Sequence, residues 1–228
     1  MKGTTLQAIN EARQSGRAIV RATDLETGED QLIDPATDTS ALGQAAAGAA
    51  RADSSGPAQI EGRAWFLSVY NPPLELVIIG AVHIAQPLVT MAREAGYSVR
   101  IIDPRTAFAT PARFPDVAIS HDWPDEALAK SPLGPRSAVA FLSHDPKIDD
   151  PGLIAALKSD CFYIGTLGSK KTQAARNARL KAAGFDEATL AARIHGPIGL
   201  DIGARSPAEI AISILAEMTL VLRGKKGA

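Results

Sequence analysis

A single cysteine, Cys161, stands among 228 residues. One thiol forms no internal disulfide and no cysteine-rich zinc site, which excludes a secreted, disulfide-stapled scaffold. Charge excess is equally scarce: 24 Lys and Arg against 25 Asp and Glu leave a formal net charge of −1. Surfaces built for nucleic-acid backbones or anionic membranes need clustered surplus cations, so neither partner is expected. No uncharged apolar stretch reaches the roughly 18 residues of a membrane span; the apolar C-terminal segment is interrupted by Glu209 and Glu217. Met1 to Gln7 holds no apolar run of the signal-peptide kind, which points to a cytoplasmic protein. What is present is ordinary. Hydrophobic residues at 46% and charged residues at 21% are the make-up of a globular chain with a usable core. At roughly 100–200 residues per domain, the length suits one medium domain with a small companion.

The chain is expected to divide at Pro72-Pro73, into a small N-terminal domain over 1–72 and a larger one over 73–228. In the first, Thr5 to Gln14 reads as a short helix. Arg17 to Thr23 and Gln31 to Asp34 read as a hairpin around Gly28, and Ala64 to Tyr70 as a further strand. Pro35 to Pro57 is rich in Ala, Gly, Ser and Thr, and suits either a flexible linker or a helix over Ala41 to Arg51. The expectation is a small, mostly β unit.

Beyond the prolines the pattern changes. Leu76 to Gly80 (LVIIG) is the continuous apolar run of a buried parallel strand. A helix follows over His83 to Ala95, and then a strand over Tyr97 to Asp103. Further strands are expected at Val117 to Ser120, Ala138 to Ser143 and Cys161 to Gly165, with helices over Asp150 to Ser159 and Ser169 to Ala183. Alternating strands and helices assemble by right-handed crossovers into a parallel sheet. The expected class is therefore α/β: a Rossmann-like parallel sheet with helices on both faces. The last helix is the best marked. Ser206-Pro207-Ala208-Glu209 supplies a capping hydroxyl, a proline at the first helical position and a reciprocating Glu. Ile210, Ile214, Met218 and Val221 then give an apolar face, while Glu209, Ser213 and Glu217 give a polar stripe.

In such sheets ligands bind beyond the carboxyl ends of the strands. Those ends carry Gly80 to His83, Asp103-Pro104-Arg105, His121-Asp122, His144-Asp145 and Gly165 to Lys171. The first turn matches the dinucleotide fingerprint G-x-G-x-x-G only at Gly80, since Val82 and Ala85 fill the other two glycine places. Asp103, 23 residues after Gly80, stands where an acid binds a ribose hydroxyl, which keeps NAD(P) as an alternative ligand. Gly165-Thr166-Leu167-Gly168-Ser169-Lys170-Lys171 suits a phosphate at a helix start, against an ordinary turn with a solvated basic edge. His195 to Gly203 gathers three glycines and a proline beside His195 and Asp201, the make-up of a shaped ligand loop. His83, His121 and His144 share no ligand spacing, so no metal site is expected of them. Cys161 reads as a small core residue.

From about Leu76 to Met218 the sequence resembles the C-terminal domain of the XdhC/CoxI family, accessory proteins of xanthine dehydrogenase and related molybdenum hydroxylases. The matching pieces are Gly80-Ala81-Val82-His83, Asp103-Pro104-Arg105, Ser143-His144-Asp145 and Tyr163-Ile164-Gly165 through Gly168-Ser169. The longest is His195-Gly196-Pro197-Ile198-Gly199-Leu200-Asp201-Ile202-Gly203-Ala204, followed by Ser206-Pro207-Ala208-Glu209-Ile210-Ala211. The resemblance implies an accessory protein, without turnover chemistry of its own, that binds the molybdenum–pterin cofactor (molybdopterin). Such a protein supports sulfuration of the cofactor by a cysteine desulfurase and passes it to an apo-hydroxylase of the xanthine dehydrogenase or CO dehydrogenase type. Carried over, the cofactor would touch Gly80, Val82, His83, Asp103, Arg105, His144, Asp145, Gly165, Gly168, Ser169, Lys170, His195, Gly199 and Asp201. No residue is assigned a catalytic role. The family's N-terminal segment usually carries a glycine-rich motif with a cysteine, whereas no cysteine precedes Cys161 here. A homodimer is compatible with the sequence, which carries no mark for or against it.

Overall fold

The computed structural model describes residues 3–224, which divide at Pro72/Pro73 into two compact units. The first unit runs α1 (Gly3–Gln14), β1 (Ile19–Asp24), β2 (Asp30–Ile33), α2 (Ala41–Ala52), β3 (Gly56–Ile60) and β4 (Arg63–Tyr70). Its strands form one antiparallel sheet in the order β2-β1-β4-β3. Asp24 shapes the β1–β2 turn by accepting from the Glu26 and Thr27 amides at 2.8 and 3.1 Å. The alanine-rich stretch resolves as helix rather than linker, because both of its ends are stopped. The Ser40 hydroxyl accepts from the Gly43 amide, and Asp53 takes up the left-handed conformation at φ 54°. Ala46 and Ala50 of this helix pack on Val20, Ala22, Trp65 and Leu67. β3, which begins at Gly56-Pro57, was not anticipated; a proline is tolerated there because β3 is an edge strand.

The second unit runs β5 (Leu74–Ile79), α3 (Ala85–Glu94), β6 (Tyr97–Ile102), β7 (Ala118–Ser120), α4 (Pro124–Lys130), β8 (Ser137–Phe141) and α5 (Pro146–Leu157). It continues with β9 (Tyr163–Thr166), α6 (Lys170–Ala182), α7 (Glu187–Arg193), β10 (Ile194–His195) and α8 (Pro207–Arg223). The strands pair in parallel in the order β10-β9-β8-β5-β6-β7. The chain leaves β5 toward β6 and β7, then returns to the other side of β5 for β8, β9 and β10. This reversal is the topological switch of a Rossmann sheet, and it lies between β5 and β8. The short elements α4, α7 and β10 add to the sequence reading; two to seven residues carry too little periodicity to be seen.

Both faces of the sheet are covered, which accounts for the unbroken apolar run in β5. Leu74, Leu76 and Ile78 pack with Leu88 and Ala92 of α3 and Ile214 and Met218 of α8. Val77 and Ile79 pack with Leu128 of α4, Leu153 of α5, Leu180 of α6 and Leu190 of α7. At α8 the capping box forms as the sequence predicts: Ser206 accepts from the Glu209 amide, and the Glu209 carboxylate accepts from the Ser206 amide. Ser206→Ala should therefore cost about 1 kcal/mol, read as a lowered urea midpoint. The stripe on α8 is not uniformly solvated. Glu209 is exposed, but Ser213 is buried and Glu217 is turned into the protein, while Val221 on the nominally apolar face is exposed.

Candidate ligand site at the carboxyl edge of the parallel sheet

Because the six strands are parallel, the segments after them emerge along one edge, and hydrogen bonds tie them there. Gly80 ends β5 with φ +101° and donates to the Ile102 carbonyl at 2.9 Å. A Cβ on Gly80 would lie 2.7 Å from the Ser143 amide nitrogen, so the turns after β5 and β8 touch backbone to backbone. The fingerprint's first glycine is thus required for packing across the switch point. Val82 is half-buried and packs against the core cluster around β5, while His83 is exposed.

Asp103, after β6, has no exposed surface. Its Oδ2 accepts from the Ala81 amide at 2.7 Å and from Arg105 Nη2 at 2.8 Å, and its Oδ1 accepts from the Arg105 amide and Nε at 3.0 and 2.9 Å. Burial alone would raise this carboxyl, but the bonds from Arg105 and Ala81 outweigh it and hold Asp103 below its ordinary pKa. Arg105 is half-buried, its guanidinium lying 4.4 Å from the centre of the Phe108 ring. His121, after β7, places Nδ1 3.2 Å from the Asp103 carbonyl.

After β8, His144 takes φ +62° and stands exposed. Crowding by the surrounding protein, and then the charge of Arg176, disfavour its imidazolium and lower its pKa. Asp145 caps α5 through the Lys147 amide at 2.9 Å. Beneath it lies a buried polar chain that the sequence did not disclose. The Ser143 hydroxyl donates to Asp149 Oδ1 at 2.6 Å, and Asp149 Oδ2 faces Arg176 Nη2 at 3.7 Å. Arg176 donates to Gln173 Oε1 and to the Leu167 carbonyl, and Thr166 donates to the same Gln173 oxygen at 2.8 Å. Asp149 Oδ2 and Arg176 Nε are buried without a hydrogen-bond partner. Burial pushes Asp149 up to about 6, against the opposing bond from Ser143 and the charge of Arg176.

After β9, Gly165 has no room for a side chain, since a Cβ would meet Ile198 Cδ1 at 2.5 Å and Tyr163 Cε1 at 2.6 Å. Gly168 sits at φ +143°, and Ser169 caps the thirteen-residue α6 by accepting from Thr172. Lys170 and Lys171 are exposed on its first turn. β10 ends at His195, whose ring stacks on Tyr163 with centroids 4.7 Å apart. His195 Nδ1 faces Glu217 Oε1 of α8 at 3.4 Å. The other oxygen of Glu217 accepts from the Tyr163 phenol at 2.5 Å and the Gly199 amide at 2.8 Å. Burial would raise Glu217, but bonds from His195, Tyr163 and Gly199 prevail and keep its pKa below the ordinary value. Burial, then the bond to Glu217, push the Tyr163 phenol far up. The loop is further fixed by the Ile198 amide on the Thr166 carbonyl and the Leu200 amide on the Ser213 carbonyl, at 3.0 and 3.2 Å.

The edge therefore gathers Gly80, Asp103, Arg105, His144, Asp145, Gly165, Gly168, Ser169, Lys170, His195 and Gly199. Asp201 lies farther along the last loop, exposed. Glu217, Tyr163, Asp149, Arg176 and Gln173 are the site's unforeseen members. Among the described residues, no three His, Cys, Asp or Glu side chains gather as metal ligands, and no helix is long and apolar enough to cross a membrane. Cys161 is buried just before β9, with Sγ 3.7 Å from the Ala156 carbonyl, a core residue as its composition suggested.

The family model of the XdhC Rossmann domain matches residues 76–218, from β5 into α8. The chain belongs to the XdhC family. Among its XdhC relatives, a probable xanthine dehydrogenase subunit of Bacillus subtilis is 30% identical over 154 residues, which is 67% of this chain and 44% of that protein. The molybdenum cofactor insertion chaperone PaoD of Escherichia coli is also 30% identical over 154 residues, 67% of this chain and 41% of its own length. The crystal structure of a xanthine dehydrogenase from Bacillus halodurans superimposes with a TM-score of 0.72 at 28% identity, covering 99% of this chain and 66% of that one. The chain thus spans less than half the length of these two curated XdhC relatives.

Proposed function

We propose that this chain binds the molybdenum–pterin cofactor along the carboxyl edge of its parallel sheet and serves as an accessory factor for a molybdenum hydroxylase of the xanthine dehydrogenase type. The apo-hydroxylase is the recipient, and a cysteine desulfurase the source of cofactor sulfur. The observation that carries this reading is the donor set on one edge: Arg105, the hydroxyl of Ser169, and the α6 start with Lys170 and Lys171 exposed beside it. A dianionic phosphate suits such cations and helix-start amides. The relationship to a cofactor insertion chaperone supports the same reading. When bound, the cofactor supplies the molybdenum chemistry of the hydroxylase; the residues of this chain hold and orient it.

NAD(P) suits the strand order but not the side chains. Asp103, the candidate ribose ligand, is fully buried and already accepts from Ala81 and Arg105. The Val82 side chain fills the place where the fingerprint needs bare backbone against a pyrophosphate.

Gel filtration of the purified chain with molybdenum–pterin cofactor is the test. Co-elution at micromolar cofactor is expected, and the same column reads whether the chain runs as a homodimer. Lys170→Glu combined with Lys171→Glu should weaken retention about tenfold or more, since charge-assisted bonds are worth ~1.5–3 kcal/mol each. Both side chains are exposed, so the melting temperature should barely move. Cofactor passing through the column unretained by the wild-type chain would refute the reading, and unchanged retention by the double variant would remove the α6 start from the site.

A further inference from the structure

His195 is held in an unusual way for a residue beside a glycine-rich loop. Its ring lies nearly parallel to Tyr163, with 23° between the planes. Gly165, its partner across the parallel ladder, leaves room for the Tyr163 ring that a methyl group would take. Nδ1 is turned to Glu217, yet 28% of the His195 side chain stays open to solvent, whereas Tyr163 is buried.

The protonation pattern follows from what Glu217 already accepts. Its Oε2 takes the Tyr163 hydroxyl and the Gly199 amide, and those two donors together with His195 favour the ionised carboxylate. A carboxylate accepts only, and Tyr163 keeps its proton. A neutral imidazole facing Oε1 through Nδ1 must therefore carry its proton on Nδ1, which leaves Nε2 as a bare acceptor. The 3.4 Å separation is long for a hydrogen bond, as acid–base contacts often are before a ligand arrives. A histidine that only fastened the loop would have no need of this: Ile198 and Leu200 already fasten it through backbone bonds.

We propose that Glu217 is a positioning residue that fixes His195 as the Nδ1–H tautomer, so that Nε2 is offered at the sheet edge as a hydrogen-bond acceptor for an N–H donor of the ligand, the lactam or amino edge of a pterin ring. The ligand class rests on the cofactor reading above; the tautomer rests on the geometry alone. Arg105, Ser169 and the lysines of α6 would then meet the anionic end of the ligand, and His195 its ring.

Two measurements on the full chain separate these parts. In the nitrogen NMR spectrum of 15N-labelled protein at neutral pH, with His195 assigned by loss of its signals in His195→Asn, the expected state is protonated Nδ1 and bare Nε2. Glu217→Ala should revert His195 toward the Nε2–H form that free histidine favours, while Tyr163→Phe should leave the tautomer unchanged. A protonated Nε2 in the wild-type chain overturns the proposal, even if Glu217→Ala fails to fold, and so does a tautomer indifferent to Glu217→Ala. The second measurement titrates 6-hydroxymethylpterin and its 3-methyl counterpart, which lacks the lactam N–H. His195→Phe, which keeps the stack on Tyr163, should bind 6-hydroxymethylpterin about tenfold more weakly. His195→Gln, which places an acceptor oxygen near the position of Nε2, should recover most of the loss. Equal affinity of wild type and His195→Phe overturns the inference and leaves the cofactor reading standing. No binding of either pterin to wild type, with the Nδ1–H tautomer in place, overturns the pterin assignment and counts against the cofactor reading itself.

Discussion

Gly80→Ala should destabilise the second unit by about 3 kcal/mol, far more than the addition of a methyl group to a surface turn. Two costs combine. The backbone sits at φ +101°, where an L side chain is strained by ~1–2 kcal/mol. The new Cβ would also lie 2.7 Å from the Ser143 amide and 2.9 Å from its Cα, both backbone atoms that cannot rotate away; such overpacking typically costs ~1–3 kcal/mol. Gly96→Ala is the control, because Gly96 has φ +85° but nothing within 4 Å of where its Cβ would stand, so only the conformational cost remains. Thermal unfolding should place the Gly80 variant roughly 10 °C below wild type and the Gly96 variant much nearer to it. Similar shifts for the two would mean that the turns after β5 and β8 do not touch as described.

Stability should fall between about pH 4.5 and pH 7 through one buried carboxyl, and Asp149→Asn should abolish that fall. Asp149 is raised from the ordinary 3.8 to about 6 by burial. The folded chain therefore holds its proton over a range in which the unfolded chain has released it. The sign follows: stability is greatest when the group is protonated in both states, declines as pH rises through the window, and levels off once the folded-state group is ionised as well. From about pH 4.5 upward the decline is worth about 2 kcal/mol. Other groups titrate in the same range, so the quantity to follow is the wild-type urea stability minus that of the Asn variant. That difference should shrink with pH, and a flat difference would mean that Arg176, 3.7 Å away, holds Asp149 ionised throughout.

The parallel sheet was legible because its strands are apolar on both faces and its turns are marked by Gly80, Gly96 and the Ser206 cap. Such features are local, and local pattern is what a sequence displays. The buried chain from Ser143 to Thr166 was not legible, since Asp149 and Arg176 are 27 positions apart and each reads alone as a solvated helix charge. Glu217 is the sharpest case. Its spacing from Glu209 and Ser213 makes a polar stripe, and helical periodicity cannot say that one end of the stripe faces solvent while the other meets Tyr163, His195 and Gly199. One mark was available: an acid in the C-terminal half of a helix opposes the helix dipole and needs a local reason. Asp103 was placed correctly on the edge, but its 0% exposure depends on Arg105 folding back over it, a side-chain conformation that no motif encodes.

The folded-back Arg105 bears on how cargo would leave. An anion arriving at a solitary guanidinium meets a full positive charge, but here Asp103 already neutralises it through two direct contacts, and the Phe108 ring covers one face. Attraction to the incoming group is blunted accordingly, and when that group departs the arginine has a ready home on Asp103 rather than an empty solvent-facing state. A carrier needs this reversibility more than tightness, because a grip too strong at the edge would keep the load from ever reaching its recipient.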